Sequence, residues 1–327
     1  MTPTIALDGM GKAHGHLRLP HSRDDSAWGH VMIPICVIGN GDGPTVLLTG
    51  GNHGDEYEGP IALHDLAYSL EASDVAGRII ILPQMNTPAF LAASRTSPID
   101  QGNMNRAFPG NARGTVTQKI AAYLNDELLP RVDAVLDFHS GGKTLDFLPF
   151  AASHVLPDAA QDQACAQAAR AFGAPYTVKM LEIDDTGMFD GAVERAGKTF
   201  VTTELGGAGM ARAETVAIAK RGVRNFLVHL GVLQGKVEEA PSSLLDMPDA
   251  DCFTFAEMNG LYEPVVDLGA RLRAGDLVAR IWPVEATGKP PLGLLAKRDG
   301  LLVARHAPGL IKSGDCAAVV AVELGAA

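Results

Sequence analysis

The apolar run Thr-Val-Leu-Leu-Thr at residues 45–49 stops at Gly50-Gly51, and at 61–70 the chain resumes with apolar residues spaced for one face of a helix. A second short run, Gly-Arg-Ile-Ile-Ile-Leu at 77–82, follows and is stopped by Pro83. Strand, helix and strand in that order make a crossover unit, which restricts the chain to folds built on parallel strands. The same alternation continues. Apolar runs at 132–139 and 197–205 end in glycine-rich turns, and helical spacing appears at 116–129, 157–172 and 214–230. We therefore expect an α/β fold, a mostly parallel sheet with helices on both faces. Residues 31–38 and 45–49, joined by the turn-forming stretch Gly39-Asn40-Gly41-Asp42-Gly43-Pro44, are predicted to enter that sheet as a hairpin.

In open parallel sheets, ligands bind beyond the carboxyl ends of the strands. The turn after residue 49 carries His53 and Glu56, the 132–139 run ends on His139, and the run beginning at Gly197 reaches Glu204 before Gly206-Gly207. Two imidazoles and a carboxylate on one rim are the ligand types of a catalytic zinc site, which keeps a further position for water. The same set suits iron or cobalt. Between residues 84 and 114 lies a long loop of weak periodicity holding Asn86, Arg95, Asn103, Asn105, Arg106 and Phe108. A loop of that length inside a compact domain is usually functional.

The chain has 327 residues, a length that favours a second domain or an appendage. Residues 234–251, with Pro241, Ser242, Ser243 and Pro248 among five acids, read as a linker. This divides the chain into a catalytic domain at 1–233, including an N-terminal β extension, and a small all-β domain at 252–327 with a barrel-like pattern. Within the latter, short strand patterns precede Gly-Asp turns at 275–276 and 314–315, a weak internal repeat. It is reminiscent of a biotinyl or lipoyl carrier, but Lys289 sits in Thr-Gly-Lys-Pro rather than in a Met-Lys pair, so a carrier role is not expected.

A formal net charge of -11 argues against nonspecific nucleic-acid binding and leaves small molecules as the expected partners. No stretch approaches the ~20 apolar residues of a membrane span, and the first residues lack a signal-peptide pattern, so a cytoplasmic enzyme is expected. Cys36, Cys165, Cys252 and Cys316 stand singly, as reduced thiols do. The histidines at 14, 16, 21 and 30 are assigned to solvated surface.

Four pieces then carry a family resemblance: Gly51-Asn52-His53-Gly54-Asp55-Glu56, Asn103-Met104-Asn105-Arg106-Ala107-Phe108-Pro109-Gly110, Asp137-Phe138-His139-Ser140-Gly141 and Thr203-Glu204-Leu205-Gly206. In this order they resemble the succinylglutamate desuccinylase and aspartoacylase family, relatives of zinc carboxypeptidases. The resemblance implies one zinc ion on His53, Glu56 and His139, with Glu204 as general base and then acid. It further implies that Arg95 steadies the oxyanion and that Asn105 and Arg106 grip the carboxylate of a small N-acyl amino acid. Aspartoacylases carry an arginine ahead of the base, whereas this chain has Glu182, Asp184, Asp185 and Asp190 there. That acidic stretch suits a cationic side chain and is similar to the subgroup that deacetylates N-alpha-acetyl-diaminobutyrate in ectoine degradation. Carboxypeptidase action on peptides, or deacylation of acidic N-acyl amino acids, are the alternatives, and a homodimer is the default assembly.

Overall fold

The structure is a computed structural model that describes residues 1–181 and 186–326. Along the chain, β1 (Gly11–Pro20) and β2 (His30–Asn40) form an antiparallel ribbon, and β3 (Thr45–Thr49) leads through α1 (Glu58–Ser69) into β4 (Gly77–Leu82). The long connection that follows holds α2 (Thr87–Leu91) and a 3-10 turn at Met104–Arg106. Then α3 (Val116–Tyr123) continues as a π-helical turn and is followed by β5 (Ala134–His139). Next come β6 (Leu145–Phe147), β7 (Phe150–Ser153), α4 (Ala159–Phe172), β8 (Tyr176–Lys179), α5 (Phe189–Arg195), β9 (Thr199–Glu204) and α6 (Ala213–His229). Beyond α6, the longer regular elements are all strands: β10 (Ser243–Asp246), β11 (Phe253–Phe255), β12 (Gly260–Pro264), β13 (Leu277–Trp282), β14 (Leu292–Leu295), β15 (Gly300–His306) and β16 (Cys316–Ala326).

The main sheet runs β1-β2-β4-β3-β5-β9-β7-β8-β10-β16-β15. The expected parallel sheet is its centre, β4-β3-β5-β9, and antiparallel pairings at β2 and β7 make the whole sheet mixed. The predicted hairpin of residues 31–38 with 45–49 does not form, because β4 inserts between them. All five residues of β3 are buried, so it needs a neighbour on each edge. The α1 crossover returns β4 to one edge, β5 takes the other, and β2 finds its hairpin partner in β1 instead. On β1, His14 and His16 face solvent, while Leu17 and Leu19 are buried.

Alternation along the central strands divides the core. Val46, Leu48, Ile79, Ile81, Leu136 and Phe138 pack under α1, α4 and α6. Leu47, Ile80, Val135 and Phe200 face the other way, onto α3, α5 and the β1–β2 ribbon. Period-two spacing puts Asp137 and His139 on the Val135 face of β5, and Glu204 on the Phe200 face of β9, so the reactive groups share the α5 side.

Residues 234–251, expected as a linker, contain β10, which pairs parallel with β8 and antiparallel with β16. Apolar Leu245 and Met247 join Phe150, Val178, Val303 and Val319 in one buried cluster, so this stretch docks on both halves rather than spanning between them. A second sheet stacks β14, β13, β12 and Leu310–Ile311. The two Gly-Asp turns are closed alike: Asp276 accepts from the Arg273 N–H at 2.7 Å, and Asp315 from the Lys312 N–H at 2.9 Å. Among the described residues, no helix is long and apolar enough to cross a membrane.

Candidate active site

The turn between β3 and α1 is held by the loop that follows β4. The Gly50 N–H donates to the Leu82 carbonyl at 3.1 Å, and the Met85 and Asn86 N–H groups donate back to the Gly50 and Gly51 carbonyls. Gly51 takes a φ of 59°, in the left-handed region that favours glycine. At Gly54 an added Cβ would overlap the Ala89 carbonyl, so only glycine lets the turn lie this close to α2. The result is that His53 and Glu56 project together beyond β3.

His139 reaches them from the end of β5, where Thr49 lies in register with Asp137 on the neighbouring strand. His53 Nδ1 lies 2.7 Å from Glu56 Oε1, and His139 Nδ1 lies 3.0 Å from Glu56 Oε2. One donor atom from each of the three residues falls within 4.8 Å of the others, and all three residues are buried. The outer nitrogen of each ring is also held. His53 Nε2 lies 3.2 Å from Asn103 Oδ1, and His139 Nε2 lies 2.9 Å from Asp137 Oδ2. Rings fixed at Nε2, with Nδ1 turned to a common point, have the arrangement of metal-ligating histidines with their supporting acceptors. Two histidines and a carboxylate therefore form a set that could hold a divalent metal.

The three groups are electrostatically coupled. Burial pushes the His53 pKa down against the pull of Glu56, and the Arg95 charge adds to the depression. Burial opposes ionisation of Glu56, yet the two imidazoles hold its carboxyl below the usual range. For His139 burial again opposes the charged form, but Asp137 and Glu56 outweigh it and hold the ring well above its ordinary value.

The remaining expected residues gather around this centre. Glu204 lies in register with His139 on the adjacent parallel strand. Arg95, with a half-exposed side chain, brings Nη1 to 3.3 Å from His53 Nδ1 and 3.8 Å from Glu56 Oε1. Asn105 is buried, and its side-chain carbonyl accepts from Asn52 Nδ2 at 3.2 Å and from the Phe189 N–H at 2.9 Å, so its amide N–H₂ is the end left to face a ligand. Arg106 is exposed beside it and donates one Nη1 bond to the Asn105 carbonyl at 2.6 Å. Of the acidic stretch, Glu182, Asp184 and Asp185 lie outside the described residues, while Asp190, in the first turn of α5, is 3% exposed.

Three supporting residues received no role from the sequence. Asp137 is fully buried and also accepts from Thr49 Oγ1 at 2.6 Å and from Asn52 Nδ2 at 3.2 Å. Its spacing of two from His139 on a strand was the available signal, since it puts both on one face. Asn52 and Asn103 come from two separate loops and carried no such signal.

His53, Glu56, Arg95, Asn105, Arg106, His139, Asp190 and Glu204 all line one cavity of about 510 Å³. Two larger grooves contain none of the His53, Glu56 and His139 set. One, of about 650 Å³, runs between the chain start and α3; the other, of about 830 Å³, abuts the first cavity across Met188 and Asp190.

Residues 42–230 match the family model of the succinylglutamate desuccinylase/aspartoacylase catalytic domain. Over 323 residues the chain is 52% identical to the N-alpha-acetyl-L-2,4-diaminobutyric acid deacetylase of Halomonas elongata, covering 98% of this chain and 94% of that protein. Among solved structures, the product-bound ectoine utilization protein EutE (DoeB) from Ruegeria pomeroyi matches with a TM-score of 0.97 at 61% identity, over 98% of each chain. A succinylglutamate desuccinylase from Silicibacter sp. TM1040 matches with a TM-score of 0.95 at 60% identity, again over 98% of each chain.

Proposed function

Because the chain belongs to the succinylglutamate desuccinylase/aspartoacylase family, we propose that it hydrolyses the amide bond of an N-acyl amino acid, and that the substrate is N-alpha-acetyl-L-2,4-diaminobutyrate. The observation that carries the reading is the convergence of His53 and His139 on Glu56, with each outer ring nitrogen already held by Asn103 or Asp137. We assign a zinc ion to those three residues. Bound there, it would acidify a water and polarise the scissile carbonyl.

The chain's own residues supply the rest. Glu204 takes a proton from the attacking water and returns it to the leaving α-nitrogen. Arg95 steadies the negative charge that grows on the carbonyl oxygen, where a fixed cation acts most strongly in the transition state. Arg106, through its remaining N–H groups, and the Asn105 amide hold the α-carboxylate. Asp190, buried in the cavity wall, receives the side-chain ammonium, which is the feature separating this substrate from N-acetyl-aspartate.

The test is turnover of a panel of N-acyl amino acids and short peptides by zinc-loaded protein and by Glu204→Ala. Acetyl-diaminobutyrate should exceed acetyl-aspartate by on the order of tenfold or more, the worth of one charge-assisted contact. Glu204→Ala should lose about 10²–10⁴ in kcat. Preference for acetyl-aspartate or succinyl-glutamate would overturn the substrate, and preferential cutting of peptides would overturn the deacylase reading.

A further inference from the structure

The catalytic cavity has two chemically different halves. One holds the charged and polar groups of the rim. An apolar wall adjoins it, with Phe150 in register with Glu204 on the neighbouring strand, and is assembled from distant parts of the chain: Phe147 and Phe150 from β6 and β7, Met188 ahead of α5, Phe253 and Phe255 from β11, and Val319 from β16. Phe150 and Val319 are buried, whereas Phe255 is 41% exposed. The Phe253 and Phe255 rings stack with centroids 6.4 Å apart, and Phe147 meets Phe150 edge-on at 5.8 Å. Such a wall gains nothing from a carboxylate or an ammonium group, since both lose hydration against it.

The parts of an N-acyl diaminobutyrate can be matched to the cavity in turn. Its carboxylate belongs with Asn105 and Arg106, its ammonium with Asp190, and its amide with the histidine rim. Apart from the two methylenes that tether the ammonium, only the acyl substituent is apolar, and an acetyl group offers a single methyl to a wall of four aromatic rings. We infer that this wall is an acyl subsite suited to a linear chain longer than acetyl, so that the enzyme also cleaves medium-chain N-acyl diaminobutyrates, hexanoyl among them. The inference rests on the proposed function for the orientation of the substrate. The reaction balances as an ordinary hydrolysis: the C–N bond breaks, water gives its hydroxyl to the acyl carbon and its proton to nitrogen, and a fatty acid and the free diamino acid leave.

The fatty-acid product provides a probe that needs no turnover. Calorimetric titration of the zinc-loaded protein with acetate and with hexanoate should show hexanoate binding about tenfold tighter or more, because each of its four additional methylenes contributes up to about fourfold when fully buried. Hexanoate binding no tighter than acetate would overturn the inference. Phe255→Ala, at an exposed position that leaves the core intact, should shrink the hexanoate-to-acetate ratio; an unchanged ratio would also overturn it. In kinetics, kcat/KM for the hexanoyl substrate should exceed that for acetyl, and the reverse order counts against the subsite. If acetyl-diaminobutyrate is not hydrolysed while the hexanoate preference and its loss in Phe255→Ala persist, the proposed substrate fails and the apolar acyl subsite stands.

Discussion

Asp137 offers a test of the candidate metal centre that leaves all three ligands untouched. Its Oδ2 accepts from His139 Nε2 at 2.9 Å and from Asn52 Nδ2 at 3.2 Å, and its Oδ1 accepts from Thr49 Oγ1 at 2.6 Å. In Asp137→Asn the side-chain oxygen should stay on the His139 side, because the alternative places an N–H₂ group against two other N–H donors. The Thr49 hydroxyl can turn to accept from the new amide. What is lost is the charge on one hydrogen bond, roughly half its strength, or ~1 kcal/mol. Metal affinity should therefore fall by about fivefold, just under the 10–100-fold range for losing a residue that supports a ligand outright. Asp137→Ala strands the buried donors of Asn52 and Thr49 and frees the His139 ring, so it should reach about 100-fold. Competition against a fluorescent zinc chelator reads both affinities, and circular dichroism melts show whether each variant is folded. If folded variants bind zinc like the parent chain, or if Asn weakens binding more than Ala, the account of Asp137 is wrong.

The other expectations follow from single contacts. Arg95→Ala should lower kcat by about 10²–10³ with KM and zinc affinity little changed, because the guanidinium is needed most when charge develops on the carbonyl oxygen; a change confined to KM would contradict this. In Gly54→Ala the added methyl meets the Ala89 carbonyl, so thermal denaturation should show a loss on the order of 1–3 kcal/mol and zinc titration a weaker site. Burial raises the Cys316 thiol from 9.0 to about 11, and the thiolate is the reactive form. Its alkylation by iodoacetamide, followed by peptide mass spectrometry, should therefore keep rising about tenfold per pH unit from pH 8 to pH 10; levelling near pH 9 would show an unperturbed thiol.

The sheet was legible where one pattern had one outcome. Buried runs such as 45–49, 77–82 and 134–139 are apolar on both faces, and helical spacing between them left little choice but a parallel centre. Strand order was not legible. Nothing local says that β4 will insert between β2 and β3, because that depends on which edge the α1 crossover returns to. The strands β6, β7 and β8 were also missed. Each is three or four residues long, and Phe150 to Ser153 is Phe-Ala-Ala-Ser, whose burial comes from β9 and α4 rather than from its own hydrophobicity.

The site divides in the same way, and the division bears on specificity. His53 with Glu56, and His139 with Asp137, are pairs whose short spacing on a turn or strand fixes their relative direction, so the chemistry of the rim could be read from the chain. The residues to which we assign selectivity come from elsewhere. Asp190 enters through α5, Asn105 is aimed by Asn52 and the Phe189 N–H, and the apolar wall depends on β11 and β16, some 50–115 residues beyond Glu204. Those strands reach the cavity because β10 docks on β8 and carries β16 alongside it. Sequence change in the C-terminal strands could therefore retune which acyl group is taken while the hydrolytic rim stays intact. The consequence is that Val319→Phe, which fills the wall from β16, should shift the acyl-length preference toward acetyl without weakening zinc binding. A parallel loss of zinc affinity would mean that the two halves of the cavity are not separable.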